Sequence, residues 1–403
     1  SKRNQCLLRT IMKIAVFLSR FPYPLIKGDK LRAYNQIVQL AKHHEVYLFC
    51  LTRSSIAPSD IACLQPFCKQ IELARLNPFV SLLNVLRSLF SRLPFQVAFY
   101  RSNKVKRQYD AFLTKYKPDV CYHQFVRTAP YAEALCIPSV LDFQDTLSAN
   151  MFRRAEKSKL LSRKFFFIEA ERLKRYEEDM FALFDRTTII TDADRELLSC
   201  KRKNEVAIVS NGVSDKYVAA PESIEKKYDV LFCGNMGYKP NIVAALYLLK
   251  KIMPLVRAKR PQTTLCIAGV NPPKEVRRFA SKLNVIVEKV PDMRQMYLQS
   301  RVFFFFFQIG MGLQNKLLEA MACKIPSITS CLANKALMAK DNEQIMIANS
   351  ESEYAKHIMT LLEDQSLSQT LATNAREYIL DNFRWEKCNE VLESVLLSAS
   401  KTK

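Results

Sequence analysis

Residues 301–326, RVFFFFFQIGMGLQNKLLEAMACKIP, constrain the fold more tightly than any other part of the chain. The apolar run 302–307 is too short for a helix of normal length and reads as a buried strand. Polar Gln308 and two glycines, Gly310 and Gly312, end it. A helix-forming pattern then covers 313–323 and stops before Pro326. Strand, glycine turn and helix make the βα unit whose helix start, with its unpaired N–H groups, binds anions. Lys316 falls in the first turn, where a cation opposes the helix dipole at a cost of about 0.3 kcal/mol or more. An anion such as a diphosphate lying between the two positive ends accounts for that placement. Glu319 follows three residues on, along the same face. Amides and an ammonium for phosphate, beside a carboxylate for hydroxyls, suit a nucleotide sugar. A plain surface ion pair of Lys316 with Glu319 is the other reading, and spacing leaves both open.

The chain has 403 residues, 49% of them hydrophobic, which suits two domains that each bury a core. Its formal charge is +22, with 36 Lys and Arg against 22 Asp and Glu up to Glu222, and 25 against 17 after it. A basic balance weighted towards the first half points to an anionic partner: lipid headgroups, a phosphorylated substrate or nucleic acid. Twelve cysteines without a CxxC pair, with only four histidines, offer no metal cluster and read as reduced thiols of a cytosolic protein. The apolar stretch 14–18 is too short for the core of a signal peptide, and no run is long enough to span a membrane. Met12 reads as the natural start, with residues 1–11 an extension.

Residues 13–18 read as a buried first strand, 21–27 as a proline-bearing loop, and Gly28 with Asp29 as the start of a helix to Lys42. Lys27, Lys30 and Arg32 crowd that helix start, as a second anion site or a solvated basic face. Further strands are expected at 46–51, 71–73, 119–123, 140–142, 187–191 and 206–209. Asn77 and Pro78 signal the start of one amphipathic helix to Leu93. Its apolar face is Phe79, Leu82, Leu83, Leu86, Leu89, Phe90 and Leu93, with Arg87 and Arg92 opposite. Such a helix covers a sheet's core or lies on an anionic membrane. A second basic and aromatic helix is expected over 152–181. The strand 119–123 carries His123 to its carboxyl end, and the next carries Asp142 and then Asp145, where open parallel sheets bind ligands. His123 reads as a sugar-hydroxyl contact or a structural histidine, and the two carboxylates as hydroxyl contacts or helix caps.

Residues 211–227 are polar and aperiodic, hold Pro221, and read as a linker. Strands at 228–232, 264–268, 285–287 and 302–307 then alternate with helices, which predicts a second doubly wound parallel sheet. The first of these strands ends on a glycine loop, Gly234, Asn235 and Gly237, before a helix at 241–257. The tail 350–400 reads as helical, opened by Ser350 with Glu353 and broken near Phe383 to Trp385.

With these residues in view, the chain resembles the retaining family 4 glycosyltransferases, of α/β class and GT-B architecture, over residues 12–383. The sharpest pieces are FPYP at 21–24 with KGDK at 27–30, then SNGV at 210–213 and GLQNKLLEAMA at 312–322. The likeness is nearest to a bacterial branch of sugar transferases in surface-polysaccharide assembly. It implies two Rossmann-like domains facing across a cleft: an acceptor domain at 12–210, the linker, a donor domain at 228–380, and a last helix at 381–403 crossing back. It implies a UDP- or GDP-linked sugar held by Gly310, Gly312, Leu313, Gln314 and Asn315, with Gly234, Asn235 and Lys239 nearby and Gly28 and Asp29 contributed by the first domain. Glu319 would hold the ribose, Lys316 would neutralise the leaving diphosphate, and His123 would touch the sugar. Arg127, Asp142 and Asp145 are the implied acceptor or sugar contacts. The resemblance further implies retention at the anomeric carbon, no metal or other cofactor, a lipid-linked or glycan acceptor, and a place on the inner face of the cytoplasmic membrane. Three departures stand out. The Arg and Lys usual after the Gly234 loop are not clearly present, with Lys239 the only nearby cation. Met311 occupies the place of a sugar-binding glutamate, and Phe306, Phe307 and Gln308 replace a common Pro-Leu-Arg. They keep open a catalytically weak GT-B protein that serves as a binding partner in glycan assembly. Nucleic-acid binding rests on charge alone, without a recognition motif.

Overall fold

The computed structural model describes residues 11–25, 27–219, 224–307 and 312–402. The chain divides into two compact units. The first runs to Ser210 and resumes at Cys388; the second is Asn211–Lys387.

Seven parallel strands build the first unit: β1 Lys13–Leu18, β2 Glu45–Thr52, β3 Gln70–Arg75, β4 Val120–Gln124, β5 Ser139–Asp142, β6 Arg186–Ile189 and β7 Ala207–Ile208, in the order β3-β2-β1-β4-β5-β6-β7. Both faces of β1 are buried, which is why its sequence is apolar throughout instead of alternating. Ile14, Val16 and Leu18 pack with Leu48, Cys50 and Tyr122, while Ala15 and Phe17 pack on the opposite face with Phe49, Leu51 and Tyr109. The chain runs outwards from β1 to β3, then returns to place β4 on the other side of β1. That reversal opens a crevice at the carboxyl ends of β1 and β4.

The second unit repeats the plan with six parallel strands, β8 Tyr228–Cys233, β9 Leu265–Ala268, β10 Asn284–Val287, β11 Ser300–Phe304, β12 Ser327–Ser330 and β13 Met346–Ala348. Their order is β10-β9-β8-β11-β12-β13, so the reversal lies between β8 and β11. Val230 and Phe232 share a core with Val302 and Phe304, which fixes these two strands side by side.

Several expected elements differ. Strand pairing of the 302–307 run ends at Phe304, and Phe305 to Phe307 continue as loop with Phe305 and Phe307 stacked 5.3 Å apart. The single helix expected to Leu93 is two, Pro78–Ser88 and Phe95–Tyr100, because Pro94 has no N–H and starts a new helix. The helix expected at 152–181 is also two, Leu147–Glu156 and Leu160–Leu183. The polar stretch 211–227 contains a short helix, Asp215–Val218, and Val213 donates its N–H to Phe383 O at 2.7 Å. The tail breaks at Asp364, whose side chain caps Gln365–Asn382, as well as at Phe383. In the last helix, Trp385–Ser400, Leu392, Leu396 and Ala399 are buried in the core of the first unit. The four-residue spacing of Leu392 and Leu396 and the nearby Ala399 form one stripe, the face a helix lays on a sheet.

Candidate functional site

In the second unit, the βα unit after β11 forms one wall of the crevice and the loop after β8 the other. The helix Asn315–Ala322 buries Leu317, Leu318, Ala320 and Met321, which turns Lys316 and Glu319, both half-buried, to its opposite face. Tyr297, at the end of the short helix Met293–Leu298, donates its hydroxyl to Glu319 Oε2 at 2.9 Å. Tyr297 is fully buried, and Cys233 Sγ at the end of β8 lies 3.4 Å from the same hydroxyl. Burial pushes the Glu319 carboxyl up to about 7, against the opposing pull of the Tyr297 hydrogen bond and the Lys316 ammonium. Lys316 and Glu319 are therefore electrostatic neighbours, while the hydrogen bond that holds the carboxylate comes from a tyrosine 22 residues earlier. No spacing rule points to Tyr297, since only the tertiary fold brings it there.

Around this centre, Leu313 is buried, and Gln314 Nε2 donates to Gly312 O at 2.7 Å. Asn315 Oδ1 accepts from Asn211 Nδ2 at 3.4 Å. Gln308, Ile309, Gly310 and Met311 lie outside the described residues. On the β8 side, Asn235 Oδ1 accepts the Gly237 N–H at 2.8 Å, and Asn235 O accepts from Asn241 Nδ2 at 2.7 Å. Gly234 is required by packing, because a Cβ there would lie 2.8 Å from the Asn241 side chain. Lys239 is the first residue of the helix Lys239–Tyr247.

The glycines separate into two kinds. Gly212 faces Trp385, whose backbone nitrogen would stand 2.5 Å from an added Cβ. Among the described residues, nothing lies within 4 Å of that position at Gly28 or Gly312. The chain itself does not demand a glycine at either place, which leaves room for a close-lying ligand.

In the first unit, Gly28 and Asp29 open the helix Gly28–Leu40 after β1, and Asp29 pairs with Arg20 at 3.1 Å. The expected cluster of cations at this helix start is smaller than its sequence suggests. Arg32 is fully buried and pairs with Asp142 at 2.7 Å, and Lys30 Nζ donates to Tyr23 O at 2.9 Å. Asp142 also accepts from Tyr122 and Thr188, so its oxygens are engaged inside the fold and it is no acceptor contact. His123 likewise departs from its expected role. It is fully buried among Phe17, Tyr109 and Phe184, with Tyr109 Oη 3.1 Å from its Nε2, and burial lowers its pKa to about 3. A neutral ring sealed by three aromatic side chains supports the sheet and reaches no sugar.

Arg127 and Asp145 remain beside the crevice, after β4 and β5. Arg127 Nε donates to Gln96 Oε1 at 3.0 Å, and its guanidinium lies over the Phe125 ring. Asp145 Oδ2 accepts from Asn150 at 3.0 Å, while its buried Oδ1 has no partner among the described residues. Burial raises this carboxyl to about 7, reinforced by Asp194 and opposed by Arg127. Among the described residues, no group of His, Cys, Asp and Glu is arranged to hold a metal ion, and no helix is long and apolar enough to cross a membrane.

Residues 227–364, most of the second unit, match a family model described as glycosyl transferases group 1. A protein of Klebsiella pneumoniae, described as an uncharacterized 44.6 kDa protein in the cps region, is 23% identical over 402 residues, covering 93% of this chain and 97% of its own length. The crystal structure of Anabaena Alr3699/HepE in complex with UDP and glucose superposes with a TM-score of 0.67 at 16% identity, over 96% of this chain and all of that one. WaaG, described as a glycosyltransferase involved in lipopolysaccharide biosynthesis, superposes with a TM-score of 0.64 at 15% identity, over 95% of this chain and 99% of that one. The two parallel-sheet units thus have the GT-B fold.

Proposed function

We propose that the chain is a retaining glycosyltransferase that moves a sugar from a UDP- or GDP-linked donor to a lipid-linked or cell-surface glycan acceptor. Its setting is surface-polysaccharide assembly on the inner face of the cytoplasmic membrane. The observation that carries this reading is the Glu319 carboxyl, held by Tyr297 next to Lys316 on the helix that follows the uncrowded Gly312, inside the region that matches the group 1 model. The cps-region relative, WaaG, and the UDP and glucose bound to HepE are consistent with it.

In this reading Glu319 takes the ribose hydroxyls, and the amides at Gly312 to Asn315 and at Gly234 and Asn235 take the diphosphate. Lys316 neutralises the charge that develops on the leaving diphosphate, and Lys239 adds to the positive field. Of the first unit's residues, Gly28 is assigned to the donor, and Arg127 and Asp145 to the acceptor or the sugar. The protein's contribution is positioning and leaving-group stabilisation without a metal, the terms that dominate when a good leaving group is already present.

A panel of UDP- and GDP-sugars, read by thermal shift and donor hydrolysis, tests the proposal. One nucleotide series should raise Tm, and Lys316→Ala and Glu319→Gln should each abolish turnover in a folded protein. Gly312→Ala should keep the apo Tm and lose the nucleotide-induced shift, since among the described residues its added methyl meets no chain atom. If no nucleotide stabilises the protein, the donor assignment fails. Met311 and Gln308, both polar-contact positions in the resemblance, favour a second reading as a donor-binding assembly partner. That reading predicts nucleotide stabilisation with no turnover on any acceptor.

A further inference from the structure

The Pro78–Ser88 helix is built inside out. Phe79 is 83% exposed, Phe90 just beyond the helix is 95% exposed, and Leu82, Leu83, Leu86 and Leu89 are all exposed. The residues this helix buries are Ser81 and Ser88, seven apart and so on one stripe. A helix that covers a core does the reverse, with leucines inwards and serines out.

Polar ties hold it in this orientation. Arg172 Nη1 donates to Ser88 O at 2.7 Å and Leu93 O at 3.1 Å, and Asn84 Nδ2 donates to Arg101 O at 2.7 Å. Glu169 accepts the Phe95 and Gln96 N–H groups at 2.7 and 3.0 Å, which anchors the helix that follows. Arg172 and Glu169 both belong to Leu160–Leu183, whose first turns expose Leu160, Phe165, Phe167 and Ile168. Phe165 stacks on the buried Phe95 at 5.1 Å, and Arg172 reaches Ser88 and Leu93, so the Leu160–Leu183 helix lies against both ends of this hairpin of helices.

The segments around them are strongly basic, although Glu133 pairs with Arg101 at 3.7 Å and Asp110 with Lys106 at 2.5 Å. No acidic residue occurs from Leu73 to Tyr109, a span that includes Arg75, Arg87, Arg92, Arg101, Lys104, Lys106 and Arg107. From Leu147 to Ile168 the only acid is Glu156, against Arg153, Arg154, Lys157, Lys159, Arg163 and Lys164. Beside the Pro78–Ser88 helix a groove of about 520 Å³ is lined by Asn84, Arg87, Arg101 and Lys104 among others, a space of headgroup size with three cations.

We propose that these two helices form a single docking platform for an anionic lipid bilayer. Phe79, Phe90 and the leucines enter the acyl boundary, the flanking cations lie at phosphate level, and the groove receives one phosphorylated headgroup. A second copy of the chain fits less well, because the same cations would meet themselves across a two-fold axis. The platform gives a surface to the membrane setting of the proposed transferase and rests on that reading only for its purpose, so its test is independent of the donor site.

The full chain should co-sediment at low salt with phosphatidylcholine vesicles that contain phosphatidylglycerol, release as salt rises, and ignore pure phosphatidylcholine. The Phe79→Ser, Phe90→Ser double variant should bind about tenfold more weakly or worse, while its far-UV spectrum and Tm stay unchanged. Arg87→Glu with Arg92→Glu should lose the preference for anionic vesicles with the apolar face intact. The proposal is overturned if the wild type leaves anionic vesicles unbound, or if the Phe double variant binds them equally well. It is also overturned if the exposed face instead drives a concentration-dependent dimer that the double variant abolishes.

Discussion

Glu319 carries two opposed demands. Its folded pKa, raised to about 7 by burial, lies above the ordinary 4.5 of a glutamate. Between those values the folded chain keeps a proton that the unfolded chain has released, so this residue's contribution to stability falls as pH rises through that window. Above it the penalty persists, at on the order of 3 kcal/mol at most. Glu319→Gln, whose amide oxygen still accepts from Tyr297, should leave stability unchanged near pH 4.5 and gain by that order at pH 8. Urea unfolding of both proteins at pH 5, 6.5 and 8 measures it, and parallel pH profiles would refute it. The same variant is expected to lose turnover, the usual sign of a group retained for its chemistry at the expense of the fold. Lys316 and Glu319 were legible as a pair because helical spacing determines which side chains share a face. Spacing places Asp142 and His123 at strand ends without revealing what closes over them. Arg32, 110 residues from Asp142, supplied that answer in one case and three aromatic rings in the other.

At the scale of elements, the Pro78–Ser88 helix has a period that reads identically whether its leucines face a core or a membrane. The orientation is set elsewhere, by Glu169 and Arg172 on another helix. Glu169→Ala leaves two N–H groups at the start of Phe95–Tyr100 without an acceptor, at a cost of about 1–3 kcal/mol for a buried donor left unpaired. Denaturant unfolding should show that loss, and hydrogen exchange should quicken across the Pro78–Ser88 helix while the central strands keep their protection. Unchanged exchange there would mean that the helix is held by other contacts. Breaks within helical stretches follow the same division. Pro94 announces one in the sequence, whereas Asp364 looks like any polar surface residue until its side chain caps Leu367.

For the whole molecule, the first unit depends on the end of the chain. Leu392 and Leu396 are wholly buried in its core, and His44 stands 3.2 Å from Glu393. Removing residues 388–403 withdraws those two leucines at about 1.5–3 kcal/mol each, a large share of the roughly 5–15 kcal/mol that holds a protein folded. The truncated chain should lose cooperative unfolding of the first unit and become sensitive to trypsin there; a sharp, unshifted transition would contradict the packing. What the sequence determined by itself is the alternation of strands and helices, the two doubly wound sheets and the glycine turns at their reversals. Each of these follows from local periodicity and backbone freedom, which neighbouring residues carry. The tertiary structure alone decided that Tyr297 holds Glu319, that Arg32 occupies Asp142, that Gly212 is needed for packing while Gly312 is not, and that a leucine face points outwards. Those are meetings of residues far apart in the chain, set by which surfaces bury each other, and no local pattern encodes them.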